Sequence, residues 1–307
     1  MKKIQLLFSW TWKVTLSGLL LTVVAACSRD DDVFIEPEPE PVPVVVDDDE
    51  PEPPADSDPI EVSPYFSDYL MIAHRGLPDY PENTFVSVDA AVASGYRAVE
   101  CDICKTKDDV FVLSHDMTID RCSNGTGRVD EMTYEQLLAY DFGSWMGERF
   151  VGVKITRLDE LLDYFREKQL IIELDLADET RFKREWLPQL YELVRQKGML
   201  GQTLFTATQD EFADFLAEKR QMVISVSGVN GYAAAQRALP LKDQVTLCCF
   251  SMHYNDLSLT VSELAHDHGM KVKCWTVETQ WQLEKCVSMQ VDYIITKLPY
   301  RPWPWLE

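Results

Sequence analysis

The stretch Leu259-Thr260-Val261-Ser262-Glu263-Leu264-Ala265-His266-Asp267-His268-Gly269-Met270-Lys271-Val272-Lys273-Cys274-Trp275-Thr276 contains one whole structural unit. Leu259–His268 reads as a helix, Gly269 stands where a helix C-cap belongs, and Lys271–Thr276 reads as a β-strand. The same alternation runs outward in both directions. Strands are expected at 69–75, 98–103, 170–176, 203–208, 222–227 and 246–251 before this unit, and at 292–296 after it. Helices are expected at 83–94, 157–168, 182–196, 210–219 and 280–288. Asn83 and Asp210 are suited to N-capping, and Gly95 and Gly198 to C-capping. Repeated β/α units over about 240 residues fit an α/β fold, a TIM (β/α)8 barrel. A doubly wound parallel sheet gives a similar alternation, so the α/β class is fixed more firmly than closure. An extra run, Val110–His115, and the stretch 116–156 form a small insertion after the second strand, on one rim.

Charge is unevenly spread along the 307 residues. Residues 28–62 hold 14 acids and only Arg29, whereas 1–27 hold three lysines and no acid. Of the total charge of −22, residues 63–307 carry −12. Such a surface repels nucleic acid and argues against a polybasic membrane-surface protein. Lys2, Lys3 and Lys13 precede an uncharged run from Val14 to Ala26, too short to span a bilayer but suited to a signal peptide. The run ends Val24-Ala25-Ala26-Cys27, which resembles a bacterial lipobox. That resemblance implies a lipoprotein signal peptide at 1–26, cleaved before a diacylglycerol-bearing Cys27. Residues 27–66 then form an acidic, Pro-rich tether, with a folded domain at 67–307. The expected location is the cell envelope, lipid-anchored at the outer membrane, periplasmic or surface-exposed, with membrane contact through Cys27 only. The Ser28–Asp32 start of the tether also resembles the acidic export signal of some surface lipoproteins. Seven cysteines remain beyond Cys27, an odd number set mostly in apolar runs, and they read as buried thiols.

Polar residues at strand ends are where a barrel keeps its chemistry. The first strand ends His74-Arg75-Gly76: an imidazole, a forked guanidinium suited to phosphate and a glycine that lets the chain turn. Glu100 and Asp102 flank Cys101, so strand periodicity puts both carboxylates on one face. Glu173 and Asp175 repeat the arrangement on the third strand. Carboxylates converging in this way make an oxygen-ligand site for one divalent cation, Mg²⁺ or Ca²⁺. His115-Asp116 brings a second histidine to the same mouth, where Asp116 either orients the imidazole or caps a turn. Two histidines, an arginine and a carboxylate-held cation form a set suited to phosphodiester cleavage.

The series His74-Arg75-Gly76, Pro81-Glu82-Asn83-Thr84, Glu100-x-Asp102, Thr106-Lys107-Asp108, His115-Asp116, Glu173, Trp275-Thr276-Val277 and Ile294-Ile295-Thr296 resembles the glycerophosphodiester phosphodiesterase family. The resemblance implies a TIM barrel with a cation on Glu100, Asp102 and Glu173, His74 as proton acceptor and His115 as proton donor. It further implies Arg75 on the phosphate and Trp275 lining the substrate pocket. The implied reaction is metal-dependent hydrolysis of glycerophosphodiesters to glycerol 3-phosphate and an alcohol, with attack by a glycerol hydroxyl and a cyclic intermediate that water opens. The alternatives are a phosphodiester lyase acting on phosphoinositides or lysophospholipids, and a non-catalytic surface lipoprotein that binds headgroups. Three positions depart from the family pattern: Asp175 where lysine is usual, Glu278 for asparagine and Lys297 for aspartate. Lys273 shares the parity of Trp275 and so is expected to point inward, supplying the missing charge or pairing with Asp175; the other expectation is a lysine reaching solvent.

Overall fold

The computed structural model describes residues 61–66, 69–176, 180–219, 223–227 and 231–301. The signal peptide, Cys27, nearly all of the tether and the Pro302–Trp305 tail lie outside these residues.

In chain order the elements are β1 (Leu70–His74), α1 (Phe85–Ala93), β2 (Ala98–Lys105), β3 (Phe111–Leu113), α2 (Tyr134–Leu137), α3 (Leu158–Lys168) and β4 (Ile171–Leu176). There follow α4 (Leu187–Gln196), β5 (Thr203–Ala207), α5 (Asp210–Glu218), β6 (Val223–Ser227), α6 (Gly231–Ala238), β7 (Leu247–His253), α7 (Leu259–Asp267), β8 (Lys271–Val277), α8 (Gln280–Ser288) and β9 (Tyr293–Thr296). Every strand except β3 pairs in parallel, in the order β1-β9-β8-β7-β6-β5-β4-β2, and β1 closes the ring by pairing with β2. The fold is a TIM barrel, and closure resolves the ambiguity left by the α/β alternation. β3 stands outside the ring, antiparallel to the end of β2 through the register Ile103↔Leu113 to Lys105↔Phe111. It opens the expected insertion, which buries its own apolar set, including Ile119, Val129, Leu137 and Phe142.

Period-two alternation divides each strand between two cores. Outward residues such as Ala73, Cys101, Leu174, Phe205, Phe250 and Cys274 meet the helices in one continuous apolar layer. Inward residues at the base (Leu70, Ile72, Ala98, Ile171, Leu204, Cys249, Tyr293 and Ile295) form a second, smaller cluster plugged by Phe66. The Tyr293 hydroxyl donates to the Phe66 carbonyl at 2.7 Å, fixing that plug.

The inward layer above this base is polar. Lys273 is fully buried, and its ammonium donates to Glu173 Oε1 and, at 2.6 Å, to Thr206 Oγ1. The inward direction is as expected, but the partner is Glu173 rather than Asp175, and the ammonium does not reach solvent.

Three local features differ from the sequence reading. Thr84, not Asn83, caps α1, its hydroxyl accepting from Ser87 N, while Asn83 takes a left-handed φ of 55°. Asp210 is the first helical residue of α5 and Gln209 its cap. α6 is absent from the expected helices although Gly231, Ala234, Ala235 and Ala238, the residues it buries, stand at helical spacing. Gly95, Gly198 and Gly269 all have positive φ just beyond their helices, as C-capping requires. The seven cysteines past Cys27 are free thiols, all buried except the half-buried Cys122; Cys274 and Cys286 bring their sulfurs to 3.1 Å.

Lys273→Met leaves the Glu173 carboxylate buried without its cation. It should cost about 3–5 kcal/mol in urea unfolding, whereas Lys273→Met combined with Glu173→Leu should recover most of that loss. Equal destabilisation by the single and the double variant would show that the pair is not what the lysine serves.

Candidate active site

The C-terminal ends of the strands surround a cavity of about 290 Å³ lined by His74, Arg75, Glu100, His115, Glu173, Asp175, Arg181, Lys273 and Trp275, among others. The structure therefore brings both sequence-predicted histidines to one space, with three of the four inward carboxylates on its wall and Asp102 beneath Arg75.

β1 delivers His74 in register with Glu100 of β2, and His74 Nε2 lies 3.8 Å from Glu100 Oε2. Among the described residues, no hydrogen bond reaches either ring nitrogen, and Nδ1 is buried. Burial above all, then the positive charge of Arg75, lowers the His74 pKa to about 4, so the ring is neutral near pH 7. The chain turns at once. Arg75 has φ 58°, a strained value for a side-chain-bearing residue, and its amide donates to the Glu100 carbonyl at 3.0 Å and to Glu100 Oε2 at 3.1 Å. Gly76 has φ 88°, and a Cβ there would fall 2.1 Å from Ser87 Oγ. The glycine is required both by its dihedral and by the approach of α1.

From Arg75 a chain of charges runs to the second histidine. Arg75 Nε lies 2.8 Å from Asp102 Oδ2, and Arg75 Nη1 donates to Glu82 Oε1 at 3.1 Å. Glu82 accepts both terminal nitrogens of Arg121, at 2.8 and 2.9 Å. Arg121 Nε donates to Asp116 Oδ2 at 2.7 Å, and Asp116 Oδ1 stands 2.6 Å from His115 Nδ1. Asp116 thus orients the imidazole. Burial alone would raise the Glu82 and Asp116 pKa values, but the bonds from Arg121, with Arg75 and His115, outweigh it and hold both below the usual carboxylate range.

The carboxylates are crowded. Oxygens of Glu100, Asp102 and Asp175 all lie within 4.8 Å of one another. Burial, then the charges of Asp102 and Asp175, push the Glu100 carboxyl well above its ordinary pKa. Burial and the Asp102 charge push Asp175 up to about 7. Glu173 sits in register with Glu100; Lys273 and Thr206 hold its Oε1, while Oε2 is buried without a hydrogen bond. Asp175 pairs instead with Arg181, Nη2 to Oδ2 at 3.7 Å.

Trp275 lines the mouth, 38 % exposed, with the His253 ring edge-on at 5.4 Å. The departures Glu278 and Lys297 prove to be partners, Lys297 Nζ donating to Glu278 Oε1 at 2.6 Å. Two functional residues escaped the sequence reading. Asn83 Nδ2 donates to Asp102 Oδ2 at 2.8 Å, and Asn83 Oδ1 accepts from the Asp102 amide at 3.1 Å, so a residue read as a helix cap holds a carboxylate. Its signal was its place in the Pro81–Thr84 motif. Arg181 lies in the segment after β4, and no motif marks it.

Comparison with known proteins gives a consistent picture. The model of the Glycerophosphoryl diester phosphodiesterase family matches residues 74–299. A glycerophosphodiester phosphodiesterase of Caldanaerobacter subterraneus subsp. tengcongensis is 27 % identical over 247 residues, covering 75 % of this chain and 94 % of its own. One from Bacillus subtilis is 26 % identical over 248 residues, covering 75 % and 84 %. Among solved structures, an Oleispira antarctica phosphodiesterase in complex with the product sn-glycerol-3-phosphate superposes with a TM-score of 0.67 at 22 % identity, covering 76 % of this chain and 95 % of the other. A glycerophosphodiester phosphodiesterase from Agrobacterium tumefaciens gives 0.60 at 23 % identity, covering 75 % and 97 %. The likeness to these structures is one of fold, whereas the family match runs from His74 at the end of β1 to beyond the last strand. The chain belongs to the glycerophosphoryl diester phosphodiesterase family.

Proposed function

We propose that this protein is a cation-dependent phosphodiesterase that cleaves glycerophosphodiesters to glycerol 3-phosphate and an alcohol, with His74 as proton acceptor and His115 as proton donor. Family membership supports the substrate class. The observation that carries the reading is that two histidines in different electrostatic settings face one cavity beside carboxylates that crowd one another.

The donor set fits a hard divalent cation. Glu100, Asp102 and Asp175 offer only oxygen, at mutual distances within 4.8 Å, and the buried Glu173 Oε2 has no hydrogen bond. The repulsion that raises the Glu100 and Asp175 pKa values is what a cation would relieve. Glu100 and Asp102, with the β4 carboxylates Glu173 and Asp175, would hold it, and when bound it would neutralise charge developing on the phosphodiester.

The chain's own residues supply the rest. Arg75 presents its guanidinium at the cavity, held by Asp102 and Glu82 so that little ordering is left to do on binding. His74 Nε2, neutral near pH 7 and beside Glu100, accepts the proton of the attacking hydroxyl. Asp116 takes His115 Nδ1, which leaves Nε2 to deliver a proton to the departing alkoxide. Trp275 forms a flat wall for the glycerol or the leaving group. The lipobox-like run before Cys27 supports attachment to the cell envelope through diacylglycerol, with the acidic tether as spacer.

Residues 63–307, incubated with glycerophosphocholine, glycerophosphoethanolamine and glycerophosphoinositol, should release glycerol 3-phosphate with Ca²⁺ or Mg²⁺ and not with EDTA. His74→Ala and His115→Ala should each lower kcat by about 10²–10⁴-fold. Release that survives EDTA, or full activity in either variant, would overturn the mechanism.

Because the His74 pKa is depressed, its proton-accepting form persists far below pH 6.5. The acid limb of kcat/KM at saturating cation should therefore fall toward pH 4; a limb at pH 6.5 absent from His74→Ala would contradict this environment. In cells, Cys27→Ser should move the protein from the detergent phase to the aqueous phase of a Triton X-114 partition; an unchanged partition would remove the lipid anchor.

A further inference from the structure

Three fixed cations face the four carboxylates of the mouth, and they are held very differently. Lys273 is sealed inside the barrel by Glu173 and Thr206. Arg75 is pinned at its backbone by Glu100 and at its guanidinium by Asp102 and Glu82. Arg181 is held by longer contacts: Nη1 donates to Asp102 Oδ1 at 3.3 Å, and Nη2 stands 3.7 Å from Asp175 Oδ2. Its backbone is nonetheless anchored, because the next residue, Phe182, is fully buried edge-on against Trp186 and Phe212. The stem is fixed and the head is loosely held.

The oxygens that Arg181 touches matter. Asp102 Oδ2 already accepts from Asn83 Nδ2 at 2.8 Å and is ion-paired with Arg75, whose Nε stands 2.8 Å away. Oδ1 is the Asp102 oxygen left for a cation, and it is the one that Arg181 faces. A divalent ion on Asp102 and Asp175 would repel the guanidinium from both. The displaced group already lines the same cavity as Arg75, His74 and His115, where a phosphodiester anion offers it a new partner. A guanidinium fork suits two phosphate oxygens.

We propose that Arg181 is an exchangeable counter-ion: it screens Asp102 and Asp175 in the cation-free protein and turns to the phosphodiester once the cation is in place, becoming a substrate-binding residue. The inference rests on the phosphodiesterase reading of the site. It assigns the phosphate charge on this strand and its following loop to Arg181, because Asp175 on β4 is itself negative and Lys273 is committed to Glu173.

The test is calorimetric, on the full chain and its Arg181→Met and Arg181→Lys variants. Ca²⁺ and Mg²⁺ are titrated separately without substrate, and sn-glycerol 3-phosphate is then titrated at saturating cation. Arg181→Met should bind the cation several-fold more tightly, since a competitor has gone, and glycerol 3-phosphate about tenfold or more weakly. Arg181→Lys should keep near-normal cation affinity and recover part of the glycerol 3-phosphate affinity. A gain in cation affinity is an effect that misfolding cannot imitate. Unchanged glycerol 3-phosphate binding in Arg181→Met would overturn the phosphate role, and weaker cation binding would overturn the competition. A wild-type chain that binds neither ligand would instead overturn the phosphodiesterase reading itself.

Discussion

Like charge confined in a small space is the constraint on which the rest of this site depends. Strand periodicity aims Glu100, Asp102, Glu173 and Asp175 inward from two adjacent strands, and pairing puts Glu100 level with Glu173 and Asp102 level with Asp175. Four such carboxylates, three buried and Asp175 half-buried, are unfavourable unless each has a partner or is neutralised. The barrel answers in different ways at different depths. Deep in the interior, Lys273 compensates Glu173 permanently. At the rim, Asn83 and Arg75 fix one oxygen of Asp102. Between these lies a group whose compensation is incomplete, visible as raised pKa values at Glu100 and Asp175. Structural pairing and unfinished neutralisation thus occupy neighbouring levels of one barrel.

The two histidines differ for related reasons. His74 belongs to a strand end and inherits that strand's burial, so desolvation dominates its titration. His115 follows β3, outside the ring, and its imidazole is oriented by Asp116, which Arg121 holds in turn. The charge chain through Arg75, Glu82, Arg121 and Asp116 joins the two across elements that share no strand pairing. Rim and barrel are thereby positioned relative to each other by ion pairs as well as by apolar packing.

Much of this was legible in the residues. The eight barrel strands follow from apolar runs of strand length, and the shared inward face of Glu100, Asp102, Glu173 and Asp175 follows from the two-residue period; that the oxygens which gather are those of Glu100, Asp102 and Asp175, where the resemblance implied Glu173, depends on side-chain reach. Closure was not legible in the alternation itself, because the same alternation serves an open sheet; it was the family resemblance that implied it, and the pairing between β1 and β2 bears it out. α6 was missed although its buried face, Gly231, Ala234, Ala235 and Ala238, has helical spacing, because that face is built of small residues instead of the large apolar ones that mark the other helices. Asn83 was misread because Asn is suited to a helix start, whereas a left-handed backbone turns its amide toward Asp102. Lys273 was placed on the correct face, but parity cannot say which carboxylate a long side chain reaches. Arg181 lies in a segment without periodicity, and its role depends on contacts made across the mouth.

The Glu278–Lys297 pair bears on how substitutions at the rim combine. Each residue is unusual for the family, and each is the other's partner at 2.6 Å beside the mouth, close enough for their charges to act on His74. Removal of either side chain alone would leave an unmatched charge near the imidazole, whereas removal of both would not. The rim therefore carries an electrostatic coupling: what a replacement at position 278 does to the charge around His74 is conditional on the residue at position 297.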